Sequence, residues 1–212
     1  IRVCTRNGQN YFCSISDITE SFVRADILEK EAESTELPCR IYLFQGLPKN
    51  DKMEWIIQKT VELGVYEVIP VAMKNCVVKL DDKKAKSKVT RWQAIAESAA
   101  KQSKRSLIPE VKMPMSYKEA VAYAKKLDVK LVPYENEHGM AGTKAAMEQI
   151  EKGESVAVFI GPEGGFAPEE IALVQDEMQL ISLGKRILRT ETAGIAALAI
   201  LGYQLESSDM IE

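Results

Sequence analysis

Two glycine-bearing loops near the C-terminus hold the residues best placed to do chemistry. The first, Gly161-Pro162-Glu163-Gly164-Gly165-Phe166, follows the apolar run Val156–Ile160; the second is Leu183-Gly184-Lys185-Arg186-Ile187-Leu188-Arg189-Thr190. Glycine lets a backbone approach a ligand closely, so both loops read as main-chain cradles. The first lacks the Gly-x-Gly-x-x-Gly order of a dinucleotide site and the Lys-Ser/Thr pair of a phosphate loop. Glu163 would also set a negative charge inside a phosphate cradle, which favours a ligand that is neutral or cationic there. In the second loop Lys185, Arg186 and Arg189 surround apolar Ile187 and Leu188, a mixture suited to an adenine ring beside a polyanionic partner. A tight turn or helix cap is the plainer reading of either loop alone. Two of them at neighbouring strand ends favour one ligand site.

The elements that must position these loops alternate. Strands are expected at Arg40–Phe44, Val65–Ala72, Val129–Val132, Val156–Ile160 and Leu180–Leu183, with a weaker one near Ile108–Val111. Helices are expected at Asp51–Leu63, Lys88–Gln102, Tyr117–Leu127, Thr143–Glu151, Pro168–Met178 and Glu191–Leu205. The first carries Met53, Ile56, Ile57, Thr60 and Val61 at helical spacing, and Gly64 supplies a left-handed stop. Thr190 reads as the N-cap of the last helix. That helix is rich in small residues almost all round and is expected to be buried. Alternating apolar strands and helices imply an α/β fold, a parallel sheet flanked by helices, with ligands at the carboxyl ends of the strands. Residues 1–37 differ: Ile1–Thr5 and Tyr11–Ile15 flank an Asn7-Gly8 hairpin signal, and Ser21–Glu31 offers a third strand. So small a β unit cannot bury a core unaided, and 38–212 is read as a separate, larger domain.

Composition sets limits. The chain has 212 residues, 46% hydrophobic and 28% charged, with a net charge of -3, an ordinary globular balance. The apolar stretch Ala193–Leu205 is shorter than the roughly 20 residues of a membrane span, and no charged-then-apolar leader opens the chain; a cytoplasmic protein without membrane partners is expected. Cys4, Cys13, Cys39 and Cys76 form no CxxC pair, which leaves no metal site to expect. The single histidine, His138, sits in a polar loop, too little for chemistry that needs two imidazoles. Between Lys74 and Lys112 there are 11 Lys and Arg against 4 Asp and Glu. The clusters at Lys83–Lys88 and Lys101–Arg105 bracket a helix, as a phosphate-contacting surface would, although a solvated face reads as well from charge alone.

The two loops, together with Asp51-Lys52-Met53-Glu54-Trp55-Ile56-Ile57-Gln58-Lys59-Thr60-Val61-Glu62-Leu63-Gly64-Val65 and with Arg91-Trp92-Gln93 through Gln102-Ser103-Lys104-Arg105, resemble the RsmE-type enzymes of the SPOUT methyltransferases. Four blocks in the expected order cover most of Pro38 to Leu205. The resemblance implies methylation of N3 of one uridine in bacterial 16S ribosomal RNA, with S-adenosylmethionine as cofactor. It also implies a C-terminal trefoil knot, a homodimer with the cofactor near the subunit interface, and a PUA-like N-terminal barrel that helps hold RNA and is only partial in this chain. Ribosomal RNA, within the small subunit, becomes the expected partner, and DNA does not.

Carried over position by position, the resemblance implies cofactor contacts from Pro133, from Ile160, Gly161, Pro162, Glu163 and Gly164, and from Leu183, Gly184, Ile187 and Leu188. Arg189 is the catalytic candidate, a guanidinium facing the oxygens of a deprotonated uracil; Glu163 or Glu191 would accept the proton. Lys52, Gln102 and Arg105 are the RNA-contact candidates. Two alternatives remain beside this reading: a ribose 2′-O-methyltransferase, for which Gln45–Asn50 lacks the usual Asn-x-Gly-x-x-x-Arg element, and a catalytically silent RNA-binding or assembly factor of the same fold. A nucleotide-dependent oxidoreductase is weaker still, for want of the fingerprint glycines.

Overall fold

Strand residues alternate between two apolar layers, and that alternation defines the architecture of the computed structural model, which describes residues 1–5, 8–31, 34–137 and 139–208. In β4 (Arg40–Gly46) Ile41 and Leu43 face one layer while Tyr42 and Phe44 face the other. In β9 (Ser155–Ile160) Val156, Val158 and Ile160 alternate in the same way with Ala157 and Phe159. Period-2 patterning with both faces apolar requires helices on both sides of the sheet. One layer is closed by α1 (Lys52–Glu62), α2 (Asp82–Gln102), α4 (Ala141–Glu148) and α6 (Thr190–Ser208). The other is closed by α3 (Tyr117–Ala124) and α5 (Pro168–Val174).

The remaining strands of this sheet are β5 (Glu67–Ala72), β6 (Glu110–Val111), β7 (Met115–Ser116), β8 (Val129–Pro133) and β10 (Gln179–Ile181). All pairings are parallel, in the order β10-β8-β9-β4-β5-β6, with β7 also on β5. From edge strand β10 the chain turns back to the centre of the sheet, where α6 packs on β4, β9 and α1. Two fully buried rings, Phe44 and Phe159, stack at 4.3 Å between centroids on the adjacent central strands. Gly64 ends α1 at φ +92°, and a Cβ there would meet Leu37 at 2.7 Å, so this stop also fixes how closely the segment before β4 packs. Among the described residues no helix is long and apolar enough to cross a membrane.

Residues 1–30 form a separate antiparallel sheet, β1 (Arg2–Cys4), β2 (Asn10–Ile18) and β3 (Val23–Lys30). Gly8 takes φ +79° in the β1–β2 turn; Asn7, like His138, lies outside the described residues. The small sheet sits on the segment after α2. Arg2 Nη1 donates to the Lys104 carbonyl at 2.8 Å, Cys4 Sγ to the Ser106 carbonyl at 2.7 Å, and Asn10 Nδ2 to Ser106 Oγ at 2.5 Å.

Three expectations need correction. α2 begins at Asp82, capped by the Asp81 carboxylate accepting from Lys84 N at 2.8 Å, so Lys83–Lys88 forms its opening turns and does not flank it. α6 is buried on one face only: Gly194, Ala197, Leu198, Leu201 and Leu205 are covered, whereas Thr192, Ala199, Tyr203 and Glu206 are exposed. Arg105 is also misplaced. Its side chain is only 4% exposed, paired with Glu36, and Nη1 donates to the carbonyls of Val61 at 3.1 Å and Val65 at 2.6 Å. Glu36 in turn accepts from the Ser106 and Leu107 amides at 2.8 and 3.1 Å. A guanidinium so enclosed ties the linker to the large domain and leaves nothing for an RNA phosphate.

Candidate active site

The first loop leaves β9 at Ile160 and is shaped by close backbone contact. A Cβ on Gly46, at the end of neighbouring β4, would lie 2.7 Å from Pro162 N, and one on Gly161 would lie 3.3 Å from the Phe166 ring. Gly165 holds φ +66°, a left-handed turn where side chains are strained. Polar side chains then fasten the loop from three directions. Asn75 Nδ2 donates to the carbonyls of Gly164 at 3.0 Å and Gly165 at 3.2 Å. The buried Glu170 carboxylate accepts from Lys74 N at 2.9 Å and Ala167 N at 2.8 Å. Thr190 Oγ1 donates to the Gly161 carbonyl at 2.6 Å while accepting from Gln45 Nε2 at 2.9 Å. Thr190 therefore links the first loop to β4, where the sequence had suggested a helix cap.

The second loop leaves β10 and is held mainly at its root. Thr143 Oγ1 donates to the Ser182 carbonyl at 2.8 Å and accepts from Ser182 N at 3.0 Å, and Gly184 turns at φ +112°. Beyond it Lys185, Arg186, Ile187 and Arg189 are exposed. Between the loops, at the carboxyl ends of β8, β9 and β10, opens a cavity of about 790 Å³. Pro133, Ile160, Gly161, Pro162, Glu163, Leu183, Gly184, Ile187 and Leu188 all line it, as do Lys52 and Arg189. Gly164 is turned toward Asn75, 3.0 Å from where its own Cβ would stand. The volume suits a small organic ligand, and much of the wall is main chain.

Charge at the mouth is arranged in two groups. Lys52 Nζ lies 3.1 Å from Glu163 Oε1 and 3.2 Å from Glu191 Oε2. The hydrogen bond that Lys52 donates to Glu163 raises the Lys52 pKa; burial opposes this and Glu191 adds to it. Burial works against the Glu163 carboxylate, but its own backbone N–H, the Lys49 N–H and Lys52 outweigh that and hold its pKa below the usual carboxylate value. Glu135 and Glu137 add acidic groups to the wall. Arg186 and Arg189 line the same cavity, and neither guanidinium makes a hydrogen bond or ion pair among the described residues. A cavity with acidic walls, a backbone cradle and two uncommitted guanidinium groups can hold a partly cationic nucleoside and still face an anion. Gln102 is elsewhere, in a recess of about 420 Å³ between α1 and α2. Among the described residues no cluster of His, Cys, Asp and Glu is placed to hold a metal ion.

Sequence reasoning missed Gln45, Asn75 and Glu170. Gln45 left a signal, a lone carboxamide in an otherwise apolar strand that proves fully buried. Asn75 left none, since it acts on a loop 89 residues away in the chain; Glu170 shows locally only as a helix-start carboxylate bonded to Ala167 N, and its bond to Lys74 N spans 96 residues.

A parallel α/β sheet with its cavity at the carboxyl edge, walled by two glycine loops, defines a small-molecule-binding protein of the doubly covered α/β class. Residues 35–202 match the RNA methyltransferase domain family, and the chain belongs to that family. It is 39% identical over 207 residues to the Bacillus subtilis (strain 168) ribosomal RNA small subunit methyltransferase E, covering 96% of this chain and 81% of that one. The Mesomycoplasma hyopneumoniae (strain 232) protein of the same name is 38% identical over 173 residues, 81% of this chain and 73% of its own. Among solved structures, the ribosomal RNA small subunit methyltransferase E from Neisseria gonorrhoeae bound to S-adenosyl methionine superposes with a TM-score of 0.80 at 32% identity, over 95% of this chain and 81% of the other.

Proposed function

We propose that this protein is an S-adenosylmethionine-dependent ribosomal RNA methyltransferase that modifies N3 of a uridine in the 16S RNA of the small subunit. One observation carries the reading: the 790 Å³ cavity joins a main-chain cradle to an unpaired guanidinium at its mouth. The site fits the cofactor. A Cβ on Gly46 of β4 would lie 2.7 Å from Pro162 N and one on Gly161 3.3 Å from the Phe166 ring, Ile187 and Leu188 offer apolar cover for an adenine, and the carboxylates of Glu135, Glu137 and Glu163 suit a ligand bearing positive charge. When bound, the cofactor supplies an electrophilic methyl group.

The protein's own residues do the rest. Uracil N3 becomes nucleophilic only on losing its proton, and the charge then spreads to O2 and O4. Arg189, exposed and lining the cavity, would hold that charge with a planar fork of donors. Each unit by which it lowers the N3 pKa corresponds to about 1.4 kcal/mol. Glu163 is a weak proton acceptor because Lys49 N–H and Lys52 already stabilise its ionised form, so the reaction depends on acidifying N3 more than on a strong base. Holding the nucleoside beside the cradle supplies the remaining gain through proximity.

Further parts of the reading follow. The return of the chain from edge strand β10 to the centre of the sheet supports a trefoil knot closed by α6. The exposed α6 residues Ala199 and Tyr203, with Tyr203 75% and Ile187 84% exposed, support a homodimer that covers α6 and the second loop together. Residues 1–37 are assigned to a PUA-like RNA-holding unit and 38–212 to the methyl-transfer domain, and the place of work to the cytoplasm. Lys52, engaged by two carboxylates, would touch RNA only by exchanging a partner. The test is direct: small subunits from cells lacking this protein, incubated with it and labelled cofactor, gain one 3-methyluridine by mass mapping. Label at a ribose, or none, overturns the assignment.

A further inference from the structure

α1 and α2 lie side by side and run in the same direction, with Asp51 and Glu54 at the start of α1 paired to Lys88 and Arg91 in the second and third turns of α2. Further along, the helices part around the 420 Å³ recess, lined by Gln58, Lys59 and Glu62 of α1 and by Ile95, Ser98 and Gln102 of α2. Together with Trp55, the α1 positions 58, 59 and 62 follow the i, i+3, i+4, i+7 spacing of a single face, and Ile95, Ser98, Ala99 and Gln102 do the same on α2. The carboxamides of Gln58 and Gln102 and the hydroxyl of Ser98 have no hydrogen-bond partner among the described residues. Lys59 is different: Nζ lies 2.8 Å from Glu62 and 5.2 Å over the Trp55 ring, which is 53% exposed at the rim.

We propose that this recess receives an unpaired nucleobase of the substrate RNA, a few nucleotides from the one that enters the catalytic cavity. The inference rests on the RNA methyltransferase reading above. A carboxamide carries a donor and an acceptor side by side, the pattern of a base edge, and two of them converge here beside a hydroxyl. The indole at the rim offers a stacking surface of the kind single-stranded nucleic acid uses. A phosphate is disfavoured, because both helices end here with their negative dipole ends and Glu62 already balances Lys59. The recess is also close to the chemistry. Lys52 in the catalytic cavity and Gln58 in the recess share α1, about 9 Å apart along its axis.

Short oligonucleotides test the proposal without methyl transfer. Trp92 is 3% exposed, so quenching by RNA reports on Trp55. Adenosine and uridine hexanucleotides are expected to quench Trp55 and to bind about tenfold more tightly than an abasic strand of equal length and charge. The double variant Gln58→Ala with Gln102→Ala, both exposed positions, should lose about that tenfold difference while binding S-adenosylmethionine as before. Equal binding of the abasic strand, or unchanged preference for base-bearing strands in the double variant, overturns the proposal. Failure of the wild-type chain to methylate small subunits would count against the enzymatic reading instead, and is read in a separate assay.

Discussion

The two loops that face each other across the catalytic cavity are built to opposite rules. The loop after Ile160 is fastened by Asn75, Glu170, Thr190 and Lys49, with Gly46 pressed against Pro162. The loop after β10 is anchored at its two ends, by Ser182 and by Thr190, and between them Lys185, Arg186, Ile187 and Arg189 are exposed, Ile187 foremost at 84%. One wall is set before any ligand arrives, and the other is completed by whatever covers it. A rigid cradle lowers the entropy lost when a small cofactor binds, whereas exposed cationic and apolar residues suit a large partner. The division between a fixed wall and an open one matches the placement of both uncommitted guanidinium groups, Arg186 and Arg189, on the second.

Substitutions can break this contrast. The largest effect is expected at Arg189 on the open wall. Arg189→Ala should lower kcat by about 10²–10³-fold, the scale of one lost anion-stabilising donor, with cofactor affinity by calorimetry nearly unchanged; a parallel loss of both would place Arg189 in the cradle. On the fixed wall Gly46→Ala pushes a methyl into the Pro162 backbone, expected to cost about 1–3 kcal/mol in urea unfolding and to weaken cofactor binding. Thr190→Val removes the donor to Gly161 and should cost about 1 kcal/mol with a raised KM for cofactor, while Thr190→Ser keeps both. If serine fails to restore the KM, the hydroxyl is not what sets the loop.

The smallest effect sharpens the comparison through pH. A depressed Glu163 pKa means the folded chain binds fewer protons than the unfolded chain between the two values, so stability rises with pH there. The contribution is complete above the ordinary value of 4.5 and is lost as pH falls through the lower folded value. The thermal midpoint gap between wild type and Glu163→Gln should therefore hold near neutrality and narrow below pH 4.5. A gap independent of pH would show that the carboxylate's charge does not brace the loop.

Much of the sheet was legible because local pattern and tertiary demand agree. β4, β8 and β9 are apolar runs buried on both faces, and Gly64 marks its helix end by conformation alone. α2 was read six residues short because its first turns, Asp82–Ser87, are lysine-rich and, Ala85 apart, carry no apolar period; the Asp81 cap starts the helix instead. β7 is two residues long, below any periodic signal. Arg105 was misread because a basic cluster does not reveal that one of its members turns inward to a carboxylate 69 residues distant. The glycine loops were legible as a ligand wall, but not their fastenings, since Gln45, Asn75 and Glu170 act across the fold.

The buried Arg105–Glu36 pair makes residue 37 a poor place to cut. Removing the first 37 residues would strip the counter-ion from a guanidinium shut away from water, a change of about 3–5 kcal/mol felt at the carbonyls that end α1. The linker that carries Glu36 is thus an integral part of the larger domain's stability, and a fragment trimmed at that apparent boundary would inherit an orphaned charge.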